Sequence, residues 1–409
     1  MPGVYDTLLE RGYIAQATHE EDVRHLLNEG KTTYYVGFDP TADSLHVGHF
    51  LPIMVMAHLQ RAGHRPIALI GGGTTMVGDP SDRTDMRKML SADEISKNAD
   101  IFKEQLSKFL DFSEGKAIMI DNAEWLMKLN YVDFLREIGV HFSVNRMLTA
   151  ECYRSRMEKG LSFIEFNYMI MQSYDFLELH NRFGCSLQIG GDDQWSNILS
   201  GVDLIRRMKG NDAYGLTLNL LTTKEGVKMG KTQKGALWID ANKTSPYEFY
   251  QYWRNVHDDD VINCLKLLTF LPMERINEYA ALKGEQLNGA KQLLAYELTD
   301  IVHGRDAAGK AAELAGALFG SGSNTENLTT THLTANDIVS GLAIIDLLYM
   351  CKIAPSKSEA RRLITQGGIY VNGEQVKAID FLITESSFIE GELLLKKGKK
   401  TYHKVIISQ

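Results

Sequence analysis

Tyr35-Val-Gly-Phe-Asp-Pro-Thr-Ala-Asp-Ser-Leu-His-Val-Gly-His49 joins a buried strand to the start of a helix, and this junction decides the fold. Thr33-Tyr-Tyr-Val-Gly-Phe38 is β-branched and aromatic, which marks a buried strand. Asp39 to Ser44 has turn chemistry. Val47 to Arg61 has the length of a helix, with Pro52 tolerable near its first turn and Gly63 closing it. Pro66-Ile-Ala-Leu-Ile70 is a second strand running into Gly71-Gly-Gly-Thr74. Strand, helix, strand in this order predicts a parallel sheet of the α/β, Rossmann-like kind. Ligands of such sheets bind at the carboxyl ends of the strands, where the Asp39–His49 turn falls. His46 and His49, three apart at a helix start, can face one pocket. Gly48 leaves room for a flat base or ribose, and the helix N-terminus favours phosphate. A zinc pair is the competing explanation, but there is no HExxH and no third ligand nearby in sequence.

Outward from this junction the pattern resumes. Lys116-Ala-Ile-Met-Ile120 and Cys185-Ser-Leu-Gln-Ile-Gly190 are further strands, and Asp193 to Lys209 is helical. The stretch from Tyr131 to Phe183 is rich in helix formers and aromatics, as expected of an insertion that also makes an oligomer contact. Helical periodicity runs from Lys231 to Phe319, and Gly320-Ser-Gly-Ser-Asn-Thr-Glu-Asn327 has linker composition. Beyond Gly341 short strand patterns such as Gly368-Ile-Tyr-Val-Asn-Gly373 suggest a small separate domain. The expected boundaries are 1–225, with the insertion spanning about 125–183, then 226–320, a linker 321–340, and 341–409.

At 409 residues the chain exceeds what one core usually supports. It is 44% hydrophobic and 23% charged, the composition of a soluble protein. The start lacks a secretory signal and no apolar run could span a bilayer, so a cytoplasmic protein without a membrane role is expected. Cys152, Cys185, Cys264 and Cys351 are isolated, which argues against a zinc ribbon or disulfide scaffold. Net charge is −8, but residues 341–409 carry ten Lys/Arg against seven Asp/Glu. A tail of +3 thus follows a body of −11, one modestly basic module on an acidic chain.

Lys228-Met-Gly-Lys-Thr232 looks at first like the end of a P-loop, but that motif needs a glycine where this sequence has Glu225. A mobile loop offering two lysines to a polyphosphate fits better. His46-Val-Gly-His49 and Lys228-Met-Gly-Lys-Thr232 resemble the two signatures of class I aminoacyl-tRNA synthetases, usually written HIGH and KMSKS. Gly78-Asp-Pro-Ser81, Phe142-Ser-Val-Asn145, Tyr168 with Gln172 and Asp175, and Gly190-Gly-Asp-Asp-Gln-Trp195 narrow the resemblance to the bacterial-type tyrosyl-tRNA synthetase family. The likeness covers nearly the whole chain, in order.

That resemblance implies a division of roles. Tyr35 and Asp175 would hold the tyrosine phenol; Asp79, Tyr168 and Gln172 the ammonium; and Gln194 the carboxylate side. Gly37, Asp39, Gly48, Gly191, Asp193 and Lys231 would meet ATP or the adenylate, with Asp193 and Gly191 at the ribose. Thr41 and His46 would meet the γ-phosphate, with His49 beside them, while Lys228, Lys231, Arg83 and Arg87 would surround pyrophosphate as mobile cations. ATP is then a substrate, Mg²⁺ accompanies it, and the partners are L-tyrosine, ATP and tRNA(Tyr), in a homodimer with no resident metal. Domains 1–225 and 226–320 would be the catalytic and helical tRNA-binding parts. The tail resembles an S4-type RNA-binding domain, with Lys357, Arg361 and Arg362 of Pro355-Ser-Lys-Ser-Glu-Ala-Arg-Arg362 against RNA backbone.

Four positions depart from the usual pattern: Val47 for isoleucine, Gly230 for the first serine of KMSKS (though a glycine there is familiar in this family), Arg83 for a common lysine, and Pro52 where a side chain can contact ATP. Two other functions compete with this reading. A P-loop-like phosphotransferase is opposed by Glu225, and a non-catalytic RNA-binding relative by the intact His46, His49, Lys228 and Lys231.

Overall fold

Tyr35, in the middle of strand β2 (Thr33–Phe38), pairs in parallel register with Ile67 of β3 (Arg65–Ile70) on one side and Gln188 of β5 (Cys185–Gly191) on the other. β3 continues to β4 (Ile118–Asp121) and β5 to β6 (Tyr214–Leu218), both in parallel. A short strand β1 (Ile14–Ala17) closes the edge antiparallel to β6. The order is β1-β6-β5-β2-β3-β4. The chain leaves β2 toward β3 and returns on its other flank as β5, so the switch point lies between β2 and β5. The two turns that open there are Asp39–His49 and Gly191–Gln194.

The structure is a computed structural model that describes residues 3–81, 90–157, 160–224, 226, 228–232, 235–319, 330–339, 341–389, 391–398 and 401–408. It divides into two compact units, Met1–Lys243 with Asp259–Ala281, and Thr244–Asp258 with Leu282–Gln409. In the first unit the expected helix after the junction begins as a 3-10 turn, Val47–His49, and becomes α-helical over Phe50–Arg61. Pro52 stands in the first α turn, where its missing N–H has no intrahelical partner to lose. Eight of that helix's twelve residues are buried, as befits a helix apolar on most faces. The insertion between β4 and β5 is helical, ending in the long helix Phe163–Phe183. Its start is fixed by a reciprocal Ser162–Glu165 capping box and its end by Gly184 in the left-handed conformation. The return segment 259–281 is held to this unit by Arg11, whose guanidinium donates to the carbonyls of Lys266 (2.7 Å), Thr269 (2.9 Å) and Leu271. Lys266 O is an orphan acceptor in the last turn of helix Asp258–Leu268, and Thr269 O and Leu271 O lie just beyond it.

The second unit contains helices Pro246–Arg254, Leu287–His303 and Arg305–Phe319. It also contains a five-stranded sheet in the order β12-β11-β14-β15-β9. Here β7 (Lys231–Thr232) and β8 (Gly235–Ala236) are the small hairpin of the first unit, and β9 is Thr330–Thr334, β10 Leu342–Ala343, β11 Ile369–Val371, β12 Glu374–Gln375, β13 Leu382–Ile383, β14 Glu392–Lys397 and β15 Thr401–Ser408. The stretch expected as linker, 321–340, carries structure in its second half, because Thr330–Thr334 pairs in parallel with β15. Its first half lies outside the described residues. Asn372 and Gly373, with φ of 47° and 86°, make the two-residue hairpin turn that joins β11 to β12. The sheet and helix Lys357–Thr365 share a core of Ile344, Leu348, Ala360, Ile364, Ile369, Leu393, Leu395 and Val405. Among the described residues no helix is long and apolar enough to cross a membrane.

Candidate active site

Tyr168, Gln172 and Asp175 lie at i, i+4 and i+7 of helix Phe163–Phe183, so one helix face presents all three. Asp175 is 1% exposed, and its two carboxylate oxygens accept from the Trp125 indole N–H (2.7 Å) and the Asn122 amide (2.9 Å). Burial pushes its pKa up to about 8; the two hydrogen bonds oppose the shift, while Asp39 and Asp121 add to it. Tyr35, also 1% exposed, packs against Phe176 with ring centroids 5.3 Å apart. Its hydroxyl is buried without a protein partner, as are Gln172 Oε1 and Gln188 Oε1. Burial, then the Asp175 charge, holds the Tyr35 phenol well above its ordinary pKa. Orphaned polar atoms are expensive in a packed interior unless a ligand completes them.

Toward the switch point the polar groups are tied together. One Asp39 oxygen accepts from Thr74 Oγ1 (2.9 Å) and the other from the Tyr168 hydroxyl (3.2 Å). The glycine run is sterically required here: a Cβ on Gly71 would lie 2.0 Å from Asp39 Oδ1, and one on Gly72 2.4 Å from Asp121 Oδ1. Asp79 accepts from the Gln194 amide at 2.7 Å and from the Ser81 main chain at 2.8 Å. Gly191 abuts the Asp193 carboxylate, since a Cβ would meet Asp193 Oδ1 at 2.4 Å. Gly37 is exposed near the carboxyl end of β2, and a Cβ there would touch nothing within 4 Å. An open patch on a central strand is where a ligand can approach the backbone. Thr41 sits just beyond it, its N–H bonded to Asp39 O at 2.8 Å.

His46 and His49 stack at 4.1 Å between ring centroids. His46 Nδ1 accepts from the Gly48 N–H (3.0 Å) and His49 Nδ1 from the His46 N–H (3.2 Å), which assigns the proton of each neutral ring to Nε2. Part of the His49 side chain reaches the surface, yet its ring packs against Phe38, Phe102 and His46. That burial, with the repulsion a protonated His46 would add, pulls its pKa down to about 3. The space expected above Gly48 for a base or ribose is taken first by His46 itself: a Gly48 Cβ would lie 2.7 Å from His46 Cε1. The Lys228 segment reaches the same region, because Gly230 lies against Val47 and accepts from the Leu237 N–H at 2.7 Å.

The structure therefore brings together Tyr35, Asp39, Asp79, Tyr168, Asp175 and Gln194, and separately His46, His49 and the Lys228–Lys231 segment. Arg83 and Arg87 lie outside the described residues, as does the Lys231 side chain. Lys357, Arg361 and Arg362 are exposed in the second unit, with Lys357 paired to Asp346 and Arg362 to Glu359, each at 2.7 Å. Sequence reasoning misses Asn122, Trp125 and Gln188. The first two could be suspected only from the need of a buried Asp175 for donors, and Gln188 from its register with Tyr35. All four cysteines are buried and none is in a disulfide among the described residues. A cavity of about 170 Å³ elsewhere in this unit, lined among others by Phe142, Ser143, Arg146 and Arg207, holds none of the expected site residues.

A parallel sheet whose switch point carries a His-Val-Gly-His turn against a Lys-Met-Gly-Lys loop defines a class I synthetase architecture. Residues 27–320 match the family model for tRNA synthetases class I (W and Y), and residues 325–405 the tyrosine–tRNA ligase SYY-like C-terminal domain. The chain belongs to this family, in its tyrosine–tRNA ligase branch. It is 66% identical over 405 residues to a tyrosine–tRNA ligase of Acetivibrio thermocellus, covering 99% of each chain. It is 59% identical over 404 residues to one of Clostridium tetani, again covering 99% of each. Among solved structures, a C-terminally truncated mitochondrial tyrosyl-tRNA synthetase of Aspergillus nidulans superposes with TM-score 0.69 at 30% identity, covering 78% of this chain and 95% of that one. The fold is shared with the Archaeoglobus fulgidus tyrosyl-tRNA synthetase, solved with L-tyrosine, at TM-score 0.58 and 19% identity, covering 76% of this chain and 99% of that one.

Proposed function

We infer that this chain is a tyrosine–tRNA ligase that joins L-tyrosine to ATP as tyrosyl-adenylate, releases pyrophosphate, and passes tyrosine to the 3′ end of tRNA(Tyr). The observation that carries the amino-acid choice is the pair Tyr35 and Asp175, one hydroxyl lacking a partner and one carboxylate fixed by Trp125 and Asn122. A substrate hydroxyl can complete both. Phenylalanine leaves them unpaired in a dry site.

Tyrosine's carboxylate is itself a nucleophile, so attack on the α-phosphate needs no general base. Asp79, Tyr168 and Gln172 would meet the ammonium and Gln194 the carboxylate side, with Asp39 steering Tyr168 through its hydrogen bond. Gly37 and Gly48 would line the nucleotide, and Gly191 and Asp193 its ribose. Thr41 and the Nε2–H groups of His46 and His49 would donate to phosphate, and Lys228, Lys231, Arg83 and Arg87 would neutralise the departing pyrophosphate. Charge stabilisation of this kind acts on the transition state and so raises the chemical rate. Mg²⁺ carried by the nucleotide phosphates would supply further neutralisation; the residues suit this, since the loop cations complement phosphate rather than a bare metal.

The two outer assignments rest on kinship and surface chemistry. Residues 226–320 are proposed as the helical tRNA-binding part and 341–409 as an S4-like RNA-binding domain using Lys357, Arg361 and Arg362, joined through 321–340 to a catalytic part over 1–225. A homodimer in the cytoplasm is proposed from the exposed apolar side chains of the insertion, among them Tyr131, Val132, Val140, Val144 and Phe163. The test of the activity is tyrosine-dependent exchange of labelled pyrophosphate into ATP. It should be strong, and lost in Lys231→Ala with equilibrium tyrosine binding retained; no exchange in the unmodified enzyme contradicts the assignment.

A further inference from the structure

Gly230 has φ of 83°, in the left-handed region, and a Cβ there would lie 2.9 Å from Val47 Cβ and 3.2 Å from Val47 Cγ1. Val47 is fully buried, so it has no solvent side to retreat to. The contact is clasped by the main chain of one residue: the Leu237 N–H donates to Gly230 O at 2.7 Å, and Leu237 O accepts from the Val47 N–H at 3.0 Å. The clasp extends on either side. His46 bridges Trp238 in antiparallel fashion, and the Ile239 N–H donates to Leu45 O at 3.0 Å. Lys243, over the Trp238 ring at 4.9 Å, pairs with Asp43 at 2.5 Å. The main chain of the histidine turn is therefore zipped to 237–239, and 237 in turn holds the loop that carries Lys228 and Lys231.

We propose that Val47 and Gly230, clasped by the Leu237 main chain, form a steric latch that sets how deeply the lysine loop seats against the histidine turn. This rests on the adenylation function above. Two of the positions that depart from the HIGH and KMSKS signatures are thereby one feature. The smaller side chain at 47 and the absent one at 230 fill the same contact. Val47 and Gly230 are positioning residues, acting on phosphate through the groups beside them in sequence. Their effect belongs to the step in which loop cations meet developing charge, and not to tyrosine binding at the far end of β2. Packed contacts of this kind are discrete rather than elastic, so one methyl in the interface displaces the loop instead of being absorbed.

The test is a double-mutant cycle in tyrosine-dependent pyrophosphate exchange, using Val47→Ala, Gly230→Ala and the pair, with thermal midpoint and tyrosine affinity measured on each. Gly230→Ala is expected to lower kcat beyond the roughly tenfold scale of the left-handed penalty alone, the excess of several-fold coming from the clash with Val47 and being the part that a smaller residue 47 can relieve, without changing tyrosine affinity. Val47→Ala added to it should restore several-fold of that loss. Val47→Ile, with Gly230 intact, should lower kcat at unchanged thermal midpoint, and this variant decides the matter if Gly230→Ala does not fold. Strictly multiplicative single effects, or losses in tyrosine affinity in place of kcat, overturn the latch. An unmodified enzyme with no exchange removes the adenylation function and the latch with it.

Discussion

Tyr35 and Gln188 stand opposite one another on adjacent parallel strands, and each ends in a buried polar atom without a partner in the chain. Paired residues point to the same face of a sheet, here the face that meets Phe176 and Gly201. Gln188 is therefore expected to share the tyrosine site. Replacing it by leucine removes an unsatisfied buried amide, so the thermal midpoint should hold or rise. The KM for tyrosine should increase about tenfold, the scale of one hydrogen bond lost from a dry site. Steady-state exchange kinetics alongside a melting curve separates the two effects, and an unchanged KM would remove Gln188 from the site.

Asp175 makes stability depend on pH with a definite sign. Its folded pKa, about 8, lies above the ordinary carboxylate value near 4, so the native state holds the proton more tightly than the unfolded chain. The group's contribution is most favourable below the unfolded value and is lost as pH rises toward 8. Asp175→Asn abolishes that dependence. The melting-temperature difference, variant minus unmodified, should grow from pH 5 to pH 8; a difference flat across that range contradicts the raised pKa.

Asn122 is the joint between the carboxylate and the glycine run. It donates to Asp175 and to Thr74 Oγ1 (3.0 Å), and its Oδ1 accepts from the Gly73 N–H at 2.8 Å. Asn122→Ala leaves the buried Asp175 carboxyl short of a donor, a loss on the order of 0.5–1.5 kcal/mol while that group is protonated and larger once it ionises. A tenfold or larger rise in tyrosine KM is expected, with the pH dependence of the preceding experiment moved to higher pH.

His49 should stay neutral throughout the working range. Burial has lowered its pKa to about 3, and its Nδ1 is already an acceptor. Its ¹⁵N resonances should therefore keep the Nε2–H pattern, unchanged from pH 8 to pH 5. Titration near pH 6.5 would show that the ring is more open than the packing of Phe38 and Phe102 allows.

Phe163 is 69% exposed at the start of the long insertion helix. If the insertion is the dimer face, Phe163→Glu should shift the sedimentation coefficient toward the monomer at micromolar concentration. An unmodified chain that is monomeric there contradicts the homodimer, and a Phe163→Glu variant that stays dimeric places the contact elsewhere.

The junction at β2 is legible in the sequence because strand, turn and helix signals change within a few residues and the strand is buried on both faces. The long helix is legible in part: its aromatics and helix formers stand out, while its start depends on the local Ser162–Glu165 cap. β1 and β6 escape a sequence reading, being short strands, β1 at the sheet edge and β6 beside it, without a strong run of β-branched residues. Asn122 and Trp125 are invisible for another reason. Their role comes from a partner some fifty positions away, which only the fold brings near. The Leu237 clasp is made by main chain, to which no residue type points. Composition marks 321–340 as linker, yet Thr330–Thr334 is ordered by pairing with a strand seventy residues later.

The most direct measurement compares kcat/KM for tyrosine and phenylalanine in pyrophosphate exchange, for the unmodified enzyme and for Tyr35→Phe. Roughly 10⁵-fold discrimination without editing is the established benchmark for tyrosyl-tRNA synthetases as a class, a general figure independent of the geometry described above. Tyrosine should be preferred by several orders of magnitude, and Tyr35→Phe should narrow the gap about tenfold by removing one of the two groups that need a hydroxyl. Comparable exchange with the two amino acids, or a preference untouched by Tyr35→Phe, would contradict selection at Tyr35 and Asp175.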